Sequence, residues 1–291
     1  MYPNNNLSVL PFYSDIRYQN HRRSYAYGEI YPLMTPSATL LPFQIIRSHR
    51  SDDIVTVLLR KKDGQSFADI TQDMKVCGLR IIPQKPSLDK DVVLFPATVA
   101  LATAIPDGMY YLELSDGVEQ WVSDIFTVVQ DVSTLLKVQW YDIEDLEMSN
   151  GLAVIYSDEY GNACFRNVVY LCTQLGKPEY TFSEEVSERD GYSFPEKQVS
   201  EKTYKCTFLA PEYMLDVMRF VRLSDYVRIT DQTGQIYDCD SVIITPTWQT
   251  QGDLASVEME FQTDTAVKRI GYGYSTRGGG DFNNDFNNDF N

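Results

Sequence analysis

Between Lys202 and Asp264 the apolar residues recur with a period of two, a spacing that restricts most of this stretch to half-buried β-strands. In the run from Ala255 to Phe261, Val257, Met259 and Phe261 fall on one face while Ser256, Glu258 and Glu260 fall on the other. Tyr204, Cys206 and Phe208 alternate with polar neighbours in the same way. One interruption has a different period. Met214, Val217, Met218 and Val221 stand at i, i+3, i+4 and i+7, the apolar face of a short helix. Pro211 and Glu212 mark its start, because a first helical turn tolerates proline and favours a negative charge. The spacing predicts a helix over about 211–223, then strands near 226–230, 235–239 and 241–245. Nothing in this unit resembles a reaction centre; it is a scaffold.

Upstream, strand-length apolar runs recur every ten or so residues from 37 to 130, separated by turn residues such as Lys61-Lys62-Asp63-Gly64 and Ser115-Asp116-Gly117. That rhythm predicts an antiparallel β-sandwich, and the closing hairpin near 109–128 is similar to immunoglobulin-like or fibronectin-like modules. A chain of 291 residues exceeds the size at which one core usually stops growing, so two domains are expected. The reading is a mainly β protein with two β-sandwich or barrel-like domains, the first immunoglobulin-like and the second holding one short helix. The domains run from 37 to 130 and from 131 to 270, after an extended N-terminal arm, 1–36, and before a flexible tail, 271–291. Within the second domain, residues 152–156 and 164–171 read as a hairpin, and the acid-rich stretch between Phe182 and Ser200 as an exposed loop.

The net charge is −16 and uneven: residues 1–128 carry 12 basic and 14 acidic residues, whereas 129–291 carry 13 and 27. So acidic a surface argues against a nucleic-acid partner, which is gripped by cations. The asymmetry suits copies docked head to tail, although acidity also serves solubility alone. No run approaches the ~20 apolar residues of a membrane span, and Met1-Tyr2-Pro3-Asn4 predicts no export leader. The five cysteines (77, 164, 172, 206 and 239) form no C-x-x-C pair, which predicts free thiols folded in a reducing compartment.

Candidate chemistry is sparse. The two histidines, His21 and His49, are flanked by arginines, and the chain holds neither a nucleophile elbow nor a phosphate-binding glycine loop. Asp142, Glu144, Asp145 and Glu147, with Asp238 and Asp240, are the acids available for glycoside hydrolysis; acid-rich turns are more often solvated faces. The tail repeats Asp-Phe-Asn-Asn from Asp281, with acids and amides spaced as in a calcium loop, but Phe286 stands where that loop requires glycine. The expectation is therefore no catalytic residue, no metal and no cofactor.

The two ends are the expected interaction elements. Tyr13, Tyr18, Tyr25, Tyr27 and Tyr31 lie in a segment poor in aliphatics, either a disordered leader or an arm docking on a neighbour; the arm is preferred, since tyrosines supply contact area at low entropy cost. Phe282, Phe286 and Phe290 are repeated anchors on a tail tethered by glycines, unless that tail has no partner.

Several stretches of the second half carry a family resemblance: Asn167-Val168-Val169-Tyr170-Leu171-Cys172, Gly176-Lys177-Pro178-Glu179-Tyr180, Phe194-Pro195-Glu196-Lys197, Phe208-Leu209-Ala210-Pro211-Glu212-Tyr213 and residues 252–261. Together, over about 135–270, they resemble structural virion proteins of tailed bacteriophages that infect Bacteroidetes. The resemblance implies a tail, neck-ring or baseplate subunit without catalytic residues. Such a subunit is assembled in the host cytoplasm into a homo-oligomeric ring with other virion proteins, with neither nucleic acid nor membrane as partner. The alternative is a carbohydrate-binding or host-recognition module, to which exposed aromatics on a β-sandwich are equally suited.

Overall fold

A computed structural model describes residues 8–19, 33–37, 39–48, 54, 56–76, 80–83, 90–95, 104–142, 146–147, 153–155, 166–189, 191–248 and 254–269. It is mainly β, with sheets curled into half-barrels. The strands of the amino half are β1 (Phe12–Tyr13), β2 (Met34–Pro36), β3 (Phe43–Ser48), β4 (Thr56–Lys61), β5 (Ser66–Asp69), β6 (Arg80–Pro83), β7 (Lys90–Phe95), β8 (Gly108–Ser115), β9 (Gln120–Ser123) and β10 (Phe126–Val129). Those of the carboxyl half are β11 (Leu136–Tyr141), β12 (Leu146–Glu147), β13 (Ala153–Ile155), β14 (Asn167–Leu171), β15 (Glu179–Arg189), β16 (Tyr192–Pro211), β17 (Tyr226–Thr230), β18 (Ile236–Asp238), β19 (Ser241–Trp248) and β20 (Leu254–Arg269). Among the described residues two α-helices interrupt them, α1 (Thr71–Val76) and α2 (Glu212–Met218), and a 3-10 turn, Arg219–Leu223, extends the second.

Two compact units result. The first comprises residues 1–179 and 202–264, the second 180–201 and 265–291. In the first unit a seven-stranded sheet runs β1-β9-β8-β10-β2, with β4 joined to β8 and β5 to β4; β2 is parallel to β10 and the other pairs are antiparallel. A three-stranded sheet, β3-β7-β6, packs against it through aromatic rings: Phe43 stacks on Phe95 at 5.0 Å and meets Phe12 of β1 at 4.7 Å. A third sheet, β14-β11-β17-β18, and a four-stranded sheet, β15-β16-β20-β19, interleave along the chain, and residues of β15, β16 and β20 belong to the second unit.

One continuous cluster of buried apolar side chains takes in both halves of the first unit, from Val9 to Phe261. The alternating residues Tyr204, Cys206 and Phe208 are buried, as are Val257, Met259 and Phe261. Burying each large side chain contributes about 1.5–3 kcal/mol, and so fixes strand register by inward face. The helix begins where the proline and glutamate place it: Pro211 is extended at the N-cap, and Tyr213, Met214, Val217 and Met218 are buried. Ser224 ends the segment, its hydroxyl 3.0 Å from the Phe220 carbonyl.

Four expectations are revised. The stretch 182–200 is no loop but most of the β15–β16 pair. Both faces of that hairpin are largely exposed, and charged residues outnumber the apolar ones at Phe182, Val186 and Phe194, so the period-two signal in the sequence is sparse. Among the described residues strand β13 pairs with β12 and not with β14, and β14 joins β11 instead, with Val138 opposite Val169. Here a distant strand supplied a better-buried partner than the local turn suggested. Helix α1 was not foreseen: its six residues are too few for a periodic signal. Finally, the segment read as an arm contributes to this chain's own core. Val9, Leu10, Phe12 and Leu33 are buried within it, and β1 and β2 are edge strands of the large sheet.

Candidate interaction groove

The turn after β4 and the start of β8 enclose an open groove of about 640 Å³. Its walls follow from the register. Lys61 stands opposite Tyr110, and the Lys62 amide donates to the Met109 carbonyl at 3.0 Å, tying the turn to β8. Gly64 closes the turn with φ +89°, the left-handed conformation expected of it from sequence, and its amide donates to the Lys61 carbonyl at 2.8 Å. Between β4 and β5 the register shifts: Ala68 faces Leu59 and Ser66 faces Arg60, leaving Phe67 as the extra, bulged residue. A bulge re-aims its side chain. Phe67 meets Tyr110 edge-on at 5.3 Å, and the Lys61 ammonium lies 5.9 Å from the Phe67 ring centroid. Gly108 lies close to the Tyr110 ring: a Cβ there would meet it at 3.2 Å, so the ring would have to give by a few tenths of an ångström.

Asp63 and Asp107 also line the groove, each with a carboxylate oxygen accepting from a backbone amide, of Gln65 at 2.9 Å and of Gln130 at 2.7 Å. Burial, and then the charge of Asp107, raise the Tyr110 phenol above its ordinary range, so it remains a neutral hydroxyl. The site thus combines an apolar aromatic floor, a cation at the rim and an edge strand, β5, that pairs only with β4 among the described residues. It can hold an extended segment bearing an aromatic side chain and an acid. In the sequence Lys61-Lys62-Asp63-Gly64 marks only a turn; the one further signal is the pair of lysines within a strongly acidic chain.

A second, smaller cavity of about 350 Å³ is polar and lies beside Tyr204, Tyr237, Asp238 and Asp264. Lys202 reaches Asp264 at 3.5 Å and lies 5.2 Å from the Tyr204 ring. The Tyr237 hydroxyl donates to Asp231 at 3.1 Å, and its phenol is pushed well above the ordinary range, first by burial. Asp264 is the one non-glycine residue with positive φ, +56°, among the described residues. Within the second unit, β15 presents Tyr180, Phe182 and Val186 at 71, 67 and 50 % exposure. Three side-chain bonds hold β15 to β16 in one register: Thr181 to Glu201, Gln198 to Glu184 and Lys197 to Glu185.

Of the interface residues expected from sequence, Tyr13 is 7 % exposed in β1 and Tyr18 is half-buried in the 3-10 turn Ile16–Tyr18. Tyr25, Tyr27, Tyr31, Phe282, Phe286 and Phe290 lie outside the described residues, as do both histidines. The acids are separately engaged. Buried Asp142 accepts from the Asp225 amide and lies 3.0 Å from the Ser224 hydroxyl, Asp238 pairs with Arg228 at 2.7 Å, and Asp240 precedes β19. Glu147 lies on β12; Glu144 and Asp145 are outside the described residues. Among the described residues no three His, Cys, Asp or Glu side chains are grouped to hold a metal, and no helix is long and apolar enough to cross a membrane. Cys172, Cys206 and Cys239 are free thiols; burial pushes both Cys206 and Cys239 up to about 12, which makes them poor nucleophiles. Compared with known proteins, the chain matches no family model and no curated protein.

Proposed function

We propose that this chain is a structural subunit of a tailed-phage virion, in the tail, neck ring or baseplate, that assembles with copies of itself and with other virion proteins and makes or breaks no covalent bond. The observation that carries the reading is the β15–β16 hairpin with its exposed Tyr180, Phe182 and Val186. A monomer gains nothing from keeping such a strand edge and three large apolar side chains in water, whereas an assembling subunit buries them against a neighbour. The motif resemblance over 135–270 and the uneven charge support the same reading. The virion, after assembly in the host cytoplasm, is the place such a subunit would occupy. Negative-stain electron microscopy and light scattering on the purified full chain test it. Closed rings of uniform copy number are expected; a monomer at all concentrations up to the millimolar range overturns it.

One observation favours a second reading, carbohydrate binding. The cavity beside Tyr204 and Tyr237 is edged by Asp238, Asp264 and Lys202, a mixture of aromatic and hydrogen-bonding groups suited to a polyol. Retention on a glycan array that is lost in Asp264→Ala would move this reading ahead of the first.

A further inference from the structure

We infer that the groove between the β4–β5 turn and β8 is the receptor for the Asp-Phe repeat at residues 281–291, supplied by the tail of a neighbouring copy. That the donor is a neighbour rests on the assembling-subunit reading above; the match between groove and repeat does not. Each repeat offers one ring and one carboxylate side by side, Asp281-Phe282, Asp285-Phe286 and Asp289-Phe290. The groove offers a matching pair: Phe67, packed on the largely buried Tyr110, and Lys61, exposed at the rim with its ammonium 5.9 Å from the Phe67 ring centroid, while the two carboxylates in the lining, Asp63 and Asp107, accept from the Gln65 and Gln130 amides. Adjacent side chains of an extended segment project to opposite sides. A phenylalanine seated on the floor therefore leaves its aspartate at the rim, on the side of the exposed Lys61 ammonium. Strand β5, an edge of the sheet, gives such a segment a backbone to run along.

Length decides the stoichiometry and the reach. Phenylalanines four residues apart are separated by roughly 13 Å in an extended chain, so one groove takes one repeat at a time. The three repeats are then equivalent and add only a statistical gain of about threefold, as for any multivalent ligand with one site engaged. Between Arg269, the last residue of β20, and Asp281 lie residues 270–280, which span at most roughly 35–40 Å.

The test uses the full chain with Phe282, Phe286 and Phe290 all changed to alanine, so that its own tail is silent, and a fluorescent synthetic peptide of residues 278–291 as probe. Saturable binding is expected, weakened at least tenfold in the same protein carrying K61E and K62E, and weakened again on raising salt from 0.05 to 0.5 M, because the charged contact is screened. A peptide with a single repeat should bind within about threefold of the full peptide, and one with all three phenylalanines changed to alanine should not bind. Circular dichroism of the charge-reversed protein, together with K61Q/K62Q as a milder variant, separates loss of the site from loss of the fold. Absence of saturable binding, or binding indifferent to both lysine variants in folded protein, overturns the assignment. The source of the tail is read by mixing the tail-silent protein with the K61E/K62E protein. A complex between them is expected; no complex, with the wild-type groove closed to the peptide at every protein concentration, means each chain fills its own groove and overturns the neighbouring-copy assignment. Rings seen by microscopy without peptide binding would leave the subunit reading standing and this inference refuted.

Discussion

Asp142 was read from the sequence as a possible catalytic acid, and its surroundings give it a different task. Its two carboxylate oxygens lie 3.0 Å from the Asp225 amide and the Ser224 hydroxyl, holding the end of the helical segment to the start of β17. Burial holds its carboxyl above the ordinary value of 3.8, with the two hydrogen bonds opposing that rise. A carboxyl whose folded value is raised is most favourable to the fold below its unfolded value, and that contribution is lost as pH climbs through the folded one. Asp142→Asn removes this dependence. The stability of the variant relative to the parent, measured by urea unfolding, is therefore expected to increase from pH 4 to pH 7. A relative stability that falls over the same window would show that the ionised form is the one the fold prefers.

At the scale of the element, the β8–β9 hairpin is held by one buried ion pair. Asp116 shapes its turn by accepting from the amides of Val118 at 3.0 Å and Glu119 at 2.7 Å. Its second oxygen meets Arg47 of β3 at 2.7 Å, with both side chains removed from solvent. The pair thus joins the large sheet to the three-stranded sheet facing it. Asp116→Ala leaves the Arg47 guanidinium buried without this carboxylate and is expected to cost about 3–5 kcal/mol in urea unfolding. Replacing both residues, with Arg47→Met added to Asp116→Ala, is expected to recover part of that loss, because an apolar pair strands no charge. A single variant within 1 kcal/mol of the parent, on the order of an exposed pair's worth, would mean that water reaches the site. The hairpin and its turn were legible from Ser115-Asp116-Gly117, since a turn is a local affair; Arg47, 69 residues away, was not.

For the whole molecule, the described residues of the first 36 belong to the core on which the rest packs. Val9, Leu10, Phe12 and Leu33 are buried in the common core. At about 1.5–3 kcal/mol each, their removal forfeits roughly 6–12 kcal/mol, comparable with the full stability of a typical domain. Deletion of residues 1–36 is therefore expected to abolish cooperative thermal unfolding, rather than yield a folded core that merely fails to assemble. A soluble truncated protein with a sharp transition near the parental Tm would show the segment to be an accessory.

The periodicities of the chain were sufficient for whatever depends on neighbours in sequence. The alternation in 203–209 and 255–261, the i, i+3, i+4 stripe of 212–221 and the turn at Lys61-Lys62-Asp63-Gly64 each state a local geometry that burial then confirms. Four things were settled only by tertiary structure: the partner of β14, the exposed hairpin of β15 and β16, the place of Val9 and Leu10 in the core, and the meeting of Lys61 with Phe67 and Tyr110. Each of these depends on which distant surfaces exclude water from one another, and a one-dimensional pattern records that a side chain is apolar without recording what covers it.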